Sequence, residues 1–197
     1  MIVMKKKINL ILLIILVVLI IVTGAFAYKF YAEKKEQEER QVAKIEEKKE
    51  EDKVYELLIN YPIKGQIYID SIASEDAIEE VGRVLESKEY VENIEFISKE
   101  QALEEVKTRF KNADYIFDGY EENNIFPASY IFTIKLKNFG EFNKEYFAKI
   151  GKDLQQITYV EKIVINGNAY LEIYEKYGIE GLEEYVKSYD VLETMKN

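Results

Sequence analysis

The side chains that could do nucleophilic or acid–base chemistry lack the partners that such chemistry needs. The sequence contains no histidine and no cysteine, so the common zinc ligands, thiolate nucleophiles and imidazole proton shuttles are absent. Ser98 and Ser129 therefore have no imidazole base to activate them, and Ser98 stands where a helix cap is expected. We predict no catalytic residue and no enzyme.

Carboxylates offer the remaining candidate sites. Glu121 and Glu122 resemble a glycosidase pair in residue type, but among 37 acidic residues an adjacent pair is typical of a solvated turn. Asp114 and Asp118 hint at calcium, but Ile116 stands where a calcium loop needs an oxygen ligand. The glycines form no phosphate-cradling loop. We therefore predict no metal and no cofactor.

Composition limits the folded part and its partners. With 197 residues and 48% apolar content, the chain can bury one core of about 100 to 150 residues. A formal net charge of −10 argues against a nucleic-acid partner, because phosphate binding needs a basic face.

Residues 1–31 are predicted to be a membrane anchor. Lys5, Lys6 and Lys7 precede an uncharged apolar run over residues 8–27, close to the ~30 Å that a membrane helix must cross. The positive-inside rule leaves the lysines cytoplasmic and the domain extracellular, on a single-pass chain in a bacterial cell membrane. A cleaved signal peptide is the alternative, since Ala25-Phe26-Ala27 fits a cleavage site.

Residues 32–63 are predicted to be a charged stalk or linker. Lys34 with Glu38, Lys35 with Glu39 and Glu36 with Arg40 are spaced to pair along a solvated helix. If residues 32–53 are helical, they span roughly 33 Å. A frayed or disordered linker is the alternative.

Residues 64–168 are predicted to contain two successive β-α-β units. Strands are expected at residues 66–70, after a turn at Pro62 and Gly65, and at 91–97, 128–136 and 160–165. Helices are expected at 74–87, capped by Ser74, and at 139–155. Two such units interleave into an α+β, ferredoxin-like split β-α-β sheet with strand order 4-1-3-2 and helices on one face. The core of the sheet is expected to come from its alternating apolar residues: Ile67, Ile69, Ile94, Phe96, Ile134, Leu136, Ile163 and Ile165.

A helical lobe is predicted over residues 98–127, between the two units. Ser98 and Gln101 form a capping-box pattern, and Ala102, Leu103, Val106 and Phe110 make one apolar stripe. The stretch that follows is too short to bury all its large apolar groups by itself.

Short motifs in this region resemble one known family. They are Val-Glu-Asn-Ile-Glu-Phe-Ile-Ser-Lys-Glu-Gln-Ala-Leu at residues 91–103, Gly-Tyr-Glu-Glu-Asn-Asn at 119–124 and Phe-Pro-Ala-Ser-Tyr at 126–130. In this order they resemble the extracellular domain of the bacterial cell-division protein FtsX. The resemblance implies an ABC-transporter-like, non-transporting partner of the ATPase FtsE, whose outer domain binds and activates peptidoglycan hydrolases or their adaptors.

The chain departs from that family's pattern after residue 165. No later stretch approaches the ~18 apolar residues of a membrane helix, so the permease half is expected to be missing and an FtsE/FtsX-type complex is put in doubt. Residues 169–197 are instead predicted to form C-terminal helices, at 169–177 and 182–195, interrupted by Gly178 and Gly181.

The predicted partner-binding residues are the large apolar groups of the lobe: Phe110, Ile116, Phe117, Tyr120 and Phe126. The competing interpretation makes them the lobe's own small core. The predicted partner is a peptidoglycan hydrolase or coiled-coil adaptor. Two other functions stay open, a different single-pass divisome adaptor or sensor of POTRA-like type and a secreted enzyme released by signal peptidase.

Overall fold

The chain is described by a computed structural model that covers residues 2–109 and 124–194, with side chains for residues 16–19, 21–109 and 124–188. It divides into two compact units, Met1–Glu50 and Glu51–Asn197. The first helix, α1, runs over Ile2–Asn60.

The first unit consists of α1 residues. Within the described residues, this helix contains a stretch that is long and apolar enough to cross a membrane. The three predicted stalk pairs are present, with Nζ to carboxylate distances of 3.8 Å for Lys34–Glu38 and Lys35–Glu39, and 2.6 Å from Arg40 to Glu36. Their side chains are exposed, so each pair contributes only a few tenths of a kcal/mol to helix stability.

The second unit is built on a four-stranded antiparallel sheet. Its strands are β1 (Ile63–Ile69), β2 (Val91–Ile97), β3 (Ser129–Ile134) and β4 (Val160–Ile165). They lie in the order β2-β3-β1-β4, which confirms the predicted ferredoxin-like order. The predicted bounds of β2 and β4 agree with the structure.

The first strand begins earlier than predicted, because Gly65 lies inside the strand rather than in a turn. Gly65 is paired with Phe132, and a Cβ built on Gly65 would lie 2.3 Å from Cζ of the Phe132 ring. Only a glycine leaves room for the ring to cover the backbone at this point. The residue that looked like a turn signal is therefore a packing requirement.

Helices α2 (Glu75–Glu86) and α4 (Lys144–Leu154) contribute to the core on the sheet face that carries Ile63, Ile67 and Ile69. The Ser74 cap is confirmed, since its hydroxyl accepts from Ala77 N at 3.3 Å.

The prediction of one helix over residues 139–155 is wrong. A 3₁₀ turn, Phe139–Glu141, comes first, and the Asn143 side chain then accepts from Tyr146 N at 2.8 Å and starts α4 as a separate helix.

The last helix, α5 (Gly167–Thr194), is kinked at Gly178, whose φ of 67° is accessible mainly to glycine. The predicted interruption at Gly178 is confirmed, whereas Gly181 lies within the helix.

Leu182 and Val186 of α5 join the main core, as do Val54 and Leu58 from the end of α1. The compact unit therefore includes residues before the predicted boundary at residue 64, and the four-part division of the chain stays a prediction.

Candidate partner-binding site

The lobe begins with helix α3, Lys99–Arg109, and its capping box is confirmed. Ser98 N donates to Gln101 Oε1 at 2.8 Å, and Gln101 N donates to Ser98 Oγ at 3.2 Å. The Ser98 hydroxyl also donates to Glu100 Oε2 at 2.7 Å, and this hydrogen bond is the main cause of the lowered pKa of Glu100. Ser98 thus positions the helix start, and its hydroxyl is engaged as donor and acceptor.

Side-chain hydrogen bonds join the two described ends of the lobe to each other and to the domain. Asn124 Nδ2 donates to Lys99 O at 2.7 Å, and Asn124 Oδ1 accepts from Phe126 N at 2.9 Å. Lys99 Nζ donates to Ser71 O, in the loop after β1, at 3.2 Å. The lobe is therefore anchored at a defined place, where β1 and β2 end and β3 begins.

The predicted apolar stripe of α3 is at least partly buried over the first turns of the helix. Leu103 is only 7% exposed and Ile97 only 8%, and both lie outside the main hydrophobic core. Ala102 and Val106 are partly buried, whereas Glu104 and Glu105 are exposed. The end of β2 and helix α3 therefore bury apolar side chains outside the main core.

Most of the predicted site residues fall outside the part of the chain that the structure describes. These are Phe110, Ile116, Phe117 and Tyr120, and the Asp114, Asp118, Glu121 and Glu122 carboxylates lie there too. Phe126 is described and is partly buried. Assignment of the five residues to partner binding stays a prediction.

The described residues add large apolar side chains that the sequence did not assign to a site. Ile125 is 66% exposed, Ile72 79%, Phe96 41% and Tyr159 42%. We call these four residues the lobe-end surface. They share one end of the sheet, because Ile69 N donates to Ala128 O at 2.9 Å and Asp70 N donates to Tyr159 O at 2.8 Å.

Phe96 was expected in the sheet core, and that expectation is wrong. It pairs with Tyr130 across the strands, with ring centroids 5.1 Å apart, but β2 is an edge strand and leaves much of the ring uncovered. Ile72 and Ile125 lie in loops without apolar periodicity. A large apolar residue in a segment without strand or helix periodicity was the sequence signal for each of them.

Tyr90 belongs to a cluster of polar side chains that joins two parts of the domain. The Tyr90 hydroxyl donates to Asp153 Oδ2 at 2.5 Å, and Lys88 Nζ lies 2.9 Å from the same oxygen. Burial, followed by the hydrogen bond to Asp153, raises the pKa of Tyr90. The Tyr90 hydrogen bond and Lys88 lower the pKa of Asp153. Since these groups satisfy one another, the cluster works as a structural clamp between the β2 entry and α4.

Among the described residues, no group of three or more acidic side chains is arranged to hold a metal ion. The described residues thus show helix α3 joined at its start to the segment before β3, beside exposed apolar groups. Such a surface can bind a protein through desolvation of apolar and aromatic side chains.

A family model described as the FtsX extracellular domain matches residues 63–175, from the first residue of β1 into α5. A search of curated proteins finds no match. Among solved structures, extracellular domain 1 of FtsX from S. pneumoniae, crystallised in complex with undecyl-maltoside, is similar at 18% identity and a TM-score of 0.43. That match covers 53% of this chain and 94% of the other. From the family match, this chain belongs to the FtsX extracellular domain family.

Proposed function

We propose that this chain is a membrane-anchored interaction module of cell division that binds and regulates a peptidoglycan hydrolase or a coiled-coil adaptor outside the cell membrane. Membership of the FtsX extracellular domain family supports a division-related extracellular module. Its role is binding rather than catalysis, in keeping with a sequence that has neither histidine nor cysteine.

The observation that carries this proposal is the anchored lobe with apolar groups beside it. Asn124 and Lys99 close the lobe base, and Ile125, directly after Asn124, is 66% exposed. The exposed Ile125 side chain, next to a hydrogen-bonded base, offers an apolar contact to a protein partner. Rigid positioning favours affinity, because less conformational freedom is lost on binding.

The membrane arrangement follows from the first residues. Lys5, Lys6 and Lys7 remain cytoplasmic and the apolar part of α1 crosses the membrane, so the domain lies outside.

The test uses the full chain in nanodiscs, titrated with division-associated peptidoglycan hydrolases and their coiled-coil adaptors. We expect one of them to bind and the complex to change hydrolase activity on isolated cell walls. The variant Ile125→Lys places a charge in the proposed contact area, so it should bind the hydrolase or adaptor more weakly than the original chain. If every candidate fails to bind, or if Ile125→Lys binds as well as the original chain, the proposal is wrong.

A further inference from the structure

One aromatic ring lies uncovered at the free edge of the sheet. Phe96 is 41% exposed on β2, the edge strand against which α2 packs. One side of its ring meets Tyr130 of β3, with the ring centroids 5.1 Å apart. The remaining surface of the Phe96 ring is accessible beside α2.

A glycine in α2 fixes where these rings lie relative to the helix. The Tyr130 hydroxyl donates to Ile78 O at 3.1 Å, and a Cβ built on Gly82 would lie 2.6 Å from the same hydroxyl oxygen. Gly82 therefore lets Tyr130 reach the helix backbone. Because Phe96 packs on Tyr130, its place beside α2 is fixed as well.

Two glutamates of α2 flank this contact. Glu79 lies three residues before Gly82 and Glu86 four residues after it, so all three share one side of the helix. Both glutamates are exposed, about 10 Å apart along the helix axis. Burial raises the pKa of Tyr130, and the charges of Glu79 and Glu86 raise it further, so both carboxylates lie near this ring. We call Phe96, Tyr130, Glu79 and Glu86 the edge platform.

Within the described part of the chain, the two carboxylates of the edge platform have no cationic partner. Arg83 is three or four positions from each, but its guanidinium is held by Glu80, with Nε and Nη2 at 3.0 and 2.8 Å from Oε2. The described lysine–ring contacts are at Tyr68 and Tyr177, and none is at Phe96. The edge platform thus offers an aromatic ring and two carboxylates to a group from outside the chain.

This combination favours a cation with a flat face. An apolar group would cover the ring but leave two carboxylates partly desolvated without a partner, which is costly. Anionic lipid headgroups and nucleic-acid phosphates are repelled by the carboxylates. A guanidinium can stack on an aromatic ring and donate hydrogen bonds to carboxylates at the same time, whereas a lysine ammonium is a compact point charge.

A second copy of this chain offers no suitable group. The sequence contains three arginines, and each already pairs with a glutamate of its own helix. The pairs are Arg40 with Glu36, Arg83 with Glu80 and Arg109 with Glu105. Binding to a second copy would exchange one carboxylate for another and gain no charge neutralisation. The arginine must therefore come from another protein.

We propose that the edge platform binds an arginine side chain of a protein partner, with the guanidinium stacked on Phe96 and its N–H groups directed at Glu79 and Glu86. Arginine is one of the residue types that dominate the binding energy of protein interfaces. The site goes beyond the function proposed above, because it adds a cationic anchor on the α2 side of β2 to the apolar contact at Ile125.

The experiment selects randomised, displayed ten-residue peptides on the full chain in nanodiscs. Peptides that also bind the variant Glu79→Gln with Glu86→Gln are then discarded. The matched control is Glu180→Gln with Glu184→Gln, which makes the same charge change at exposed positions on α5. We expect the retained peptides to be enriched in arginine and to bind the α5 control variant as well as the original chain.

Fluorescence then locates the bound arginine. The chain contains no tryptophan, so Phe96→Trp places a single reporter in the edge platform and keeps an aromatic ring there. Tyr177→Trp is the control, at a position that is 56% exposed on α5 and whose ring is already covered by Lys176 Nζ at 4.9 Å. A retained peptide made synthetically should give a saturable signal at position 96 and not at 177.

The same peptide tests the chemistry of recognition. Citrulline in place of its arginine keeps the planar shape without the charge, and should raise Kd about tenfold. Phe96→Leu keeps an apolar side chain without the aromatic ring and should also raise Kd, by about three- to tenfold. Circular dichroism melting shows that each variant folds.

Several results would overturn the proposal. They are the absence of peptides that distinguish the original chain from the folded Glu79→Gln, Glu86→Gln variant, retained peptides without arginine, and equal binding of the citrulline peptide. Equal signals at positions 96 and 177 would also overturn it. Ile125→Lys should bind the retained peptides normally whether or not it binds a hydrolase, so failure of one proposal does not decide the other.

Discussion

Asn124 donates a hydrogen bond from Nδ2 to the carbonyl oxygen of Lys99 at 2.7 Å, and so joins the segment that leaves the lobe to the helix that enters it. The same side chain accepts from Phe126 N through Oδ1 at 2.9 Å. A single amide therefore satisfies two backbone groups at the base of the lobe. A side-chain amide carries its donor and its acceptor on separate atoms, so one asparagine can serve both backbone groups at once.

Asn124→Ala should loosen the lobe without unfolding the sheet. Two partly buried backbone groups lose their partner, at a cost of about 1 to 3 kcal/mol. Amide hydrogen exchange should become faster in the first turns of α3 and stay slow in β1 and β3. Asn138→Ala, at an exposed cap position without a side-chain capping bond, is the control. Equal protection of α3 in both variants would show that Asn124 does not hold the lobe.

Phe117→Ala, Tyr120→Ala and Phe126→Ala separate partner anchors from core residues. A surface anchor should lose roughly 2 kcal/mol or more of binding free energy with the melting curve barely moved. A core residue should lose ~3 to 5 kcal/mol of unfolding free energy instead. Thermal melts beside hydrolase titrations measure both quantities, with Tyr177→Ala as an exposed control on α5. Destabilisation by all three would assign them to the lobe core.

Gly65→Ala should destabilise the domain, whereas Gly151→Ala should not. The added methyl at Gly65 meets the Phe132 ring at 2.3 Å, and such overpacking typically costs ~1 to 3 kcal/mol. At Gly151, in the α4 interior, no atom lies within 4 Å of the new Cβ, so a gain of up to ~1 kcal/mol is expected from helix propensity. Urea unfolding of both variants provides the measurement, and equal midpoints would contradict the tight contact.

Asp153→Asn should remove part of the acid sensitivity of the fold. The folded-state pKa of Asp153 is lowered by Tyr90 and Lys88. The carboxylate therefore stabilises the fold above its unfolded pKa of about 3.9, and this stability is lost as the pH falls through the lower folded value. Unfolding free energies measured from pH 6 down to about pH 2 should depend less on pH in the variant.

Glu161→Gln, at an exposed position on β4, is the matched control for that titration. It also removes one carboxylate, so it corrects for the general change in net charge. If both variants show the same dependence on pH, the clamp formed by Lys88, Tyr90 and Asp153 does not account for acid sensitivity.

Topology can be tested on intact spheroplasts of the producing bacterium. With Lys5, Lys6 and Lys7 inside and the domain outside, added protease should remove the domain while a cytoplasmic marker protein survives. Full protection of the domain would refute the orientation. A mature chain that starts at Tyr28 would instead establish cleavage of a signal peptide.

The sequence alone determined the features that depend on neighbouring residues. Capping by Ser74 and Ser98, the pairs along residues 34–40 and the bounds of β2 and β4 follow from side chains a few positions apart. The strand order also followed, because two β-α-β units in succession interleave in few ways. Short motifs in the right order were enough to indicate the family.

The tertiary structure decided which apolar groups are covered. Phe96 and Ile94 look alike in an alternating strand, but only the assembled sheet shows Phe96 to be 41% exposed on an edge strand. Val54 and Leu58 lie in a charged helix, yet they are core residues, because their burial depends on side chains far along the chain such as Leu182. Gly65 likewise looked like a turn until Phe132 was placed above it. Burial is a property of the packed elements together, and local sequence carries little information about partners that are distant in the chain.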